Sequence, residues 1–210
     1  MKKLIATFFI AASAHSAWAG GMESLESFVK TVKSGRADFT QVVTSPAREG
    51  QAPKVKTSTG TFEFQRPNRF RFNYLKPFVQ TIVADGQTLW LHDVDLNQVT
   101  ARKQAAVLGS TPAALIASAP DLAALQKDFK LEAAPDRDGL QWVQALPKTR
   151  DGQLQSVRVG FKGEQLAALE ILDSFGQRSV LTFSNLQAPA TLAADTFQFK
   201  PPAGADVLRQ

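Results

Sequence analysis

The sequence predicts a mainly β fold, one domain built on a large antiparallel sheet that is curled or closed, with one helix ahead of the strands and a helical interlude between them. Three observations predict it. From Ala37 onward apolar residues recur with a period of two, through about eleven short runs. Turn formers separate the runs: Gly50, Pro67-Asn68, Pro77, Asp85-Gly86, Asp95, Asp138-Gly139, Asp151-Gly152 and Gly163. The 210-residue chain is 44% hydrophobic and 20% charged, has no fixed-period repeat and no low-complexity linker, and so carries enough apolar residues for one packed core.

In chain order, residues 1–19 stand apart. Lys2 and Lys3 precede an apolar run from Leu4 to Ala12, and Ala17-Trp18-Ala19 makes a small-x-small site before Gly20. This is the pattern of a secretory signal peptide, too short between its flanks for a membrane span. Residues 20–210 are then expected to form a single exported, soluble domain. The residue after the cut is glycine, not cysteine, which excludes a lipid-anchored mature N-terminus. Losing Lys2 and Lys3 lowers the formal net charge from +5 to about +3. With no dense Lys/Arg run, nucleic acid is not an expected partner.

Met22, Leu25, Phe28, Val29 and Val32 share one helical face, and Gly35 follows where a C-cap would sit. Strand-like runs then cover 37–45, 54–65, 69–75, 78–84, 88–93 and 96–103. Asp85-Gly86 is the strongest hairpin signal among them. Thr111 can cap a helix whose first residue is Pro112, and Pro120 splits this interlude into 112–118 and 121–127. Strands resume at 129–134, 140–146, 154–161, 166–172 and 178–185.

The residue inventory argues against enzymology. There is no cysteine, and after removal of the signal segment His92 is the one histidine. No G-x-S-x-G elbow or Gly-rich phosphate loop is present. His92, Asp93 and Asp95 sit in a turn where Asp is ordinary, and Glu132 and Asp136 show no cleft, so neither catalysis, a metal nor a cofactor is expected. The informative feature is aromatic. Phe62 and Phe64 share one face of a strand, Phe70, Phe72 and Tyr74 share a face of the next, and Leu89 with Leu91, or alternatively Trp90, continue the row. A packed sandwich core and a cavity lined for an apolar guest both fit this pattern.

Four sequence blocks carry a resemblance. Gly60-Thr61-Phe62-Glu63-Phe64-Gln65-Arg66-Pro67-Asn68-Arg69-Phe70-Arg71-Phe72, Ile82-Val83-Ala84-Asp85-Gly86-Gln87-Thr88-Leu89-Trp90, Thr111-Pro112-Ala113-Ala114-Leu115-Ile116 and Phe197-Gln198-Phe199-Lys200-Pro201-Pro202 lie in the order seen in the periplasmic outer-membrane lipoprotein carriers, the LolA family. The resemblance implies an incomplete, unclosed antiparallel β-barrel of about eleven strands under a helical lid that includes Leu115 and Ile116. It implies an acyl-chain cavity lined by Phe62, Phe64, Phe70, Phe72 and Trp90. It also implies a monomeric periplasmic carrier that accepts acylated lipoproteins from an inner-membrane ABC transporter and delivers them to an outer-membrane receptor, both partners meeting the rim near 66–72 and 112–127. Arg66, extended by the proline after it, is implied to latch the lid through backbone carbonyls around Ala113 to Ala117. A periplasmic lipid-sensing regulatory module on the same fold is the alternative. Phe64 and Phe72 stand where relatives often carry tryptophan, and the 45–58 segment is longer than that loop requires.

Overall fold

The computed structural model describes residues 20–47, 50–107, 119–149 and 154–210. The signal segment and the expected 112–118 helix, with Leu115 and Ile116, lie outside them. Helix α1 (Gly21–Thr31) comes first, followed by β1 (Ser34–Thr44), β2 (Val55–Gln65), β3 (Arg69–Lys76), β4 (Gln80–Ala84), β5 (Thr88–Asp93) and β6 (Gln98–Lys103). Among the described residues two short helices, α2 (Gln104–Val107) and α3 (Leu122–Asp128), precede β7 (Phe129–Arg137), β8 (Leu140–Pro147), β9 (Leu154–Lys162), β10 (Gln165–Asp173), β11 (Arg178–Gln187) and β12 (Asp206–Arg209).

The twelve strands of the described residues form one unclosed sheet in the order β12-β6-β5-β4-β3-β2-β1-β11-β10-β9-β8-β7. Neighbours in the sheet are consecutive strands except at two junctions: β1 pairs antiparallel with β11 near the sheet's centre, and β12 joins the edge of the sheet beside β6. The twelfth strand is not among the eleven expected. It pairs parallel to β6 over four residues, too short a run to show a period, and backbone bonds such as Asp206 N–H to the Asn97 carbonyl hold it.

One face of the sheet receives the helices. Leu25, Phe28 and Val29 of α1 are buried there, as the helical spacing requires. The Phe28 ring lies 6.1 Å from Phe64 on β2 and 5.8 Å from Phe161 on β9. Those strands are four places apart, roughly 19 Å across a flat sheet. One ring can touch both only because the sheet curls around α1, and this face is therefore concave.

The opposite face is not merely wet. Val83, Val99, Ala101 and Phe197 are buried on it, and Arg71 donates to the Thr196 carbonyl at 3.2 Å. The segment between β11 and β12 thus covers the convex side of β3 to β6 as a second, thinner apolar layer. Further round, Arg137 and Arg178 both pair with the buried Glu170, and Trp142 lies over Gly160, opposite it in the ladder.

Gly35 does not cap α1. The helix ends at Thr31 with Val32 extended, and Gly35 lies inside β1 opposite Phe64. A Cβ there would come within 2.4 Å of the Phe64 ring. Gly35→Ala is accordingly expected to lower stability by about 1–3 kcal/mol through overpacking, read as an earlier urea midpoint. Adding Phe64→Leu to that variant should return part of the loss. An unshifted midpoint contradicts the packing.

Candidate functional site

The concave face of β1 to β3 and β11 is an aromatic cluster. Register places Phe64 opposite Phe70 and Phe62 opposite Phe72. Phe62 stacks on Phe72 at 4.4 Å and on Phe64 at 5.5 Å, and Phe39 meets Phe72 and Tyr74 edge-on at 5.5 and 5.1 Å. Phe62, Phe64 and Phe70 have no exposed surface. The rings pack on one another, with α1 above Phe64. Toward the ends of the strands the cluster reaches Tyr74, whose burial pushes its phenol up to about 12. Beyond Tyr74 an open recess of about 460 Å³ continues the same face, bordered by Val43, Lys56, Phe78 and Leu96.

Trp90 does not belong to this face. In the ladder it stands opposite Val83 and Ala101, whereas Leu89 and Leu91 stand opposite Ala84 and Ile82, in line with Phe70 and Phe72. The period of two therefore carries Trp90 to the convex side, where its ring packs 5.4 Å from Phe199. Its indole N–H donates to Asp85 at 2.9 Å. Burial alone would raise the Asp85 carboxyl, but donors from Thr88, Trp90 and Gln87 outweigh it and hold the group below its ordinary value. Of the two continuations the pattern allowed, Leu89 and Leu91 are the ones on the concave side.

His92, Asp93 and Asp95 do not converge. The imidazole lies on the convex side 6.0 Å from Phe199, Asp93 accepts from the Leu96 N–H in the turn, and Asp95 is exposed.

Arg66 is buried, at 7% exposure. Its Nε donates to the Val32 carbonyl at 2.9 Å and its Nη1 to the Ala119 carbonyl at 3.0 Å. The guanidinium lies between the Phe28 and Phe64 rings, 5.4 and 5.5 Å from their centroids. Its own backbone N–H bonds the Lys33 carbonyl. Among the described residues no carboxylate neutralises it. Burial lowers its pKa to about 10, which leaves it charged at neutral pH. Among the described residues Nη2 has no partner. The expected acceptors around Ala113 to Ala117 lie outside the described residues; those present are Ala119, just beyond that stretch, and Val32 at the end of α1. One side chain thus joins the β2–β3 turn, the α1–β1 connection and the approach to α3. Asp121 caps α3 by accepting from the Ala124 N–H at 2.8 Å, and Leu125 is buried beneath it.

Sequence reasoning missed Phe39 and Phe183, which complete the cluster from β1 and β11. Both alternate correctly with polar neighbours; the missing information was that these two strands pair at the sheet's centre. Lys33 was also missed. Its Nζ reaches the Val29 carbonyl at 3.2 Å and the Pro120 carbonyl at 3.4 Å, beside the Arg66 contact.

The family model of LolA, outer membrane lipoprotein carrier protein, matches residues 30–200. An outer-membrane lipoprotein carrier protein of Albidiferax ferrireducens is 73% identical over 212 residues, covering 99% of this chain and 100% of its own. One from Methylibium petroleiphilum is 57% identical over 198 residues, 94% of each chain. Among solved structures, a LolA superfamily protein from Nitrosomonas europaea aligns with 86% of this chain and 98% of its own at 11% identity, with a TM-score of 0.47.

Tyr74 is the chain's single tyrosine, so phenolate absorbance reports the edge of the aromatic cluster directly. Its midpoint in the folded protein should lie near 12. Because the unfolded phenol ionises near pH ~10, the folded state binds more protons between these values, and stability should fall as pH rises through that window. Tyr74→Phe should flatten this fall. A phenolate midpoint near the ordinary value contradicts the burial.

Proposed function

The chain belongs to the family of outer membrane lipoprotein carrier proteins, and from that premise we propose that it shelters lipoprotein acyl chains on its concave aromatic face and keeps that face shut, when empty, through Arg66. As a member of the family it carries lipoproteins across the periplasm. On this reading residues 1–19 direct export, and residues 20–210 work as a soluble monomer. The chain accepts acylated lipoproteins from an inner-membrane ABC transporter and passes them to an outer-membrane receptor. Phe62, Phe64, Phe70 and Phe72 form the floor of the acyl site. The reaction is transfer of cargo without a chemical step.

The observation that carries the reading is the bonding of Arg66. A buried cation is held by backbone carbonyls of two covering segments, with no acidic partner among the described residues. Such bonds to a charged donor contribute about 1.5–3 kcal/mol each, enough to bias a closed state and small enough to be given up. The five-donor fork suits this role because it can hold several carbonyls at once. Two donors are engaged through Nε and Nη1, to the Val32 and Ala119 carbonyls.

Energetics require a bias of that size. Three acyl chains of about 45 methylenes would release ~36 kcal/mol on full burial from water, at ~0.8 kcal/mol each. Non-covalent affinity saturates near ~20 kcal/mol. The cargo therefore never crosses water: it moves between a bilayer and a cavity, where the hydrophobic contributions nearly cancel. A few kcal/mol in the cover then set the direction of transfer.

Removing the arginine destabilises the empty, closed carrier relative to the loaded one. A loss of ~2 kcal/mol changes that balance roughly 30-fold. Arg66→Leu should therefore release lipoproteins from spheroplasts yet incorporate them poorly into outer membranes, accumulating as a loaded complex. Arg66→Lys should retain more of the second step, since an ammonium reaches one or two carbonyls. Failure at the first step with a normal second step would reverse the sign of the latch. Wild-type protein that releases no lipoprotein from spheroplasts would refute the carrier reading.

A further inference from the structure

The two ends of the sheet differ in chemistry. At the Arg66 end, strands are joined by Pro67-Asn68, Asp85-Gly86-Gln87, Asp138-Gly139 and Gly163-Glu164, all polar turns. The opposite end holds the β1–β2, β3–β4, β5–β6 and β10–β11 connections. Pairing of Thr44 with both Val55 and Arg178, of Thr59 with Lys76, and of Gln80 with Asp93 brings them to one side. Among the described residues eight large hydrophobic side chains are exposed, and seven stand here. Leu75, Phe78 and Val79 flank the β3–β4 turn, Val94 and Leu96 the β5–β6 turn, Val55 begins β2, and Phe175 tops the β10–β11 turn. Phe78, Leu96 and Phe175 are 58, 70 and 71% exposed.

The turns are tied to one another. The Val94 N–H donates to the Val79 carbonyl at 3.3 Å, and Gly176 lies against Pro46. Three exposed lysines, Lys54, Lys56 and Lys76, stand among the tips, with Lys56 Nζ 4.9 Å from the centre of the Phe78 ring. Of the carboxylates, Asp93 accepts from the Leu96 N–H, and Asp173 from the Phe175 and Gln177 N–H groups, so both are engaged in shaping the turns. Asp95 is exposed in the β5–β6 turn.

We propose that this end of the sheet is a membrane-contact surface, whose apolar turn tips enter the interface of an anionic phospholipid bilayer while Lys54, Lys56 and Lys76 meet the headgroups. Apolar side chains on separate projecting tips match a fluid surface, which closes around each wedge independently. Apolar tips interleaved with lysine are the composition of an interfacial binder. No helix of the described residues is long and apolar enough to cross a membrane, and the contact proposed is a peripheral one. The recess of about 460 Å³ opens at this end between Tyr74, Phe78 and Leu96. An acyl chain leaving the bilayer there would first meet Tyr74, the edge of the aromatic cluster, in a recess that Asp93 and Asp95 also line. That use rests on the carrier reading; the membrane contact itself does not.

The test is vesicle flotation of the mature chain, using phosphatidylcholine vesicles with and without one third phosphatidylglycerol. The wild type should float with the anionic vesicles, less with phosphatidylcholine alone, and be released by high salt. Phe78→Ser with Leu96→Ser should lower the floated fraction roughly fivefold or more, and changing the three lysines to glutamine should remove the preference for phosphatidylglycerol. Arg66→Lys, at the polar end, should float like the wild type. Wild-type protein that stays with neither vesicle, or tip variants that float as well as the wild type, would overturn the proposal. Should the tip variants lose spheroplast release while the wild type binds no vesicle, the surface docks a protein instead, and the membrane proposal fails. A wild type that releases lipoproteins but does not float keeps the carrier reading and loses this one.

Discussion

A sheet that lines its concave face with phenylalanine must keep water from that face whether or not a guest is present. Phe39, Phe62, Phe64, Phe70 and Phe72 lie there, all buried. Exposing five such side chains would forfeit about 7–15 kcal/mol, as much as a whole domain's net stability. The empty protein is therefore stable only if the face is covered. Rings stacked on rings, α1 laid across Phe64 and Phe161, and α3 packed behind it are all answers to this one requirement.

The cover cannot be permanent if the face is to take a guest, and on the proposed reading a buried arginine does what an apolar contact could not. Apolar packing between cover and sheet would compete with acyl chains on equal terms, surface for surface. The hydrogen bonds from Arg66 to the Val32 and Ala119 carbonyls would instead add a closed-state bias that the guest cannot mimic. The polar turns at the Arg66 end and the apolar tips at the other extend the division along the strands: one end holds the cover, the other faces outward.

Much of this was legible in the sequence because β structure writes its faces with a period of two. Phe62 and Phe64 opposite Phe70 and Phe72, the Asp85-Gly86 hairpin and the apolar stripe of α1 all follow from spacing alone. Other features depend on partners that spacing does not name. Spacing leaves Leu89 with Leu91, or Trp90, open as the continuation of the aromatic row, and register with Val83 and Ala101 turns Trp90 outward onto Phe199. The segment that supplies Phe197 and Phe199 has no period, so the convex apolar layer was hidden. Gly35 reads as a helix cap until β1 is paired with β2 and the Phe64 ring falls on it. Arg66 was singled out by its motif, but its burial between Phe28 and Phe64 comes from the curl of the sheet, which no local pattern encodes.

The existence of two apolar layers also makes the central claim directly measurable. A triacylated lipoprotein with a photoreactive group near the end of an acyl chain, bound to the carrier and irradiated, labels whichever surface shelters the chain. The account predicts label on the concave strands, in peptides spanning 59–74 and 181–183, and on 25–29 of α1. Label confined to the convex layer, at Val83, Trp90, Val99, Ala101, Phe197 or Phe199, would contradict it.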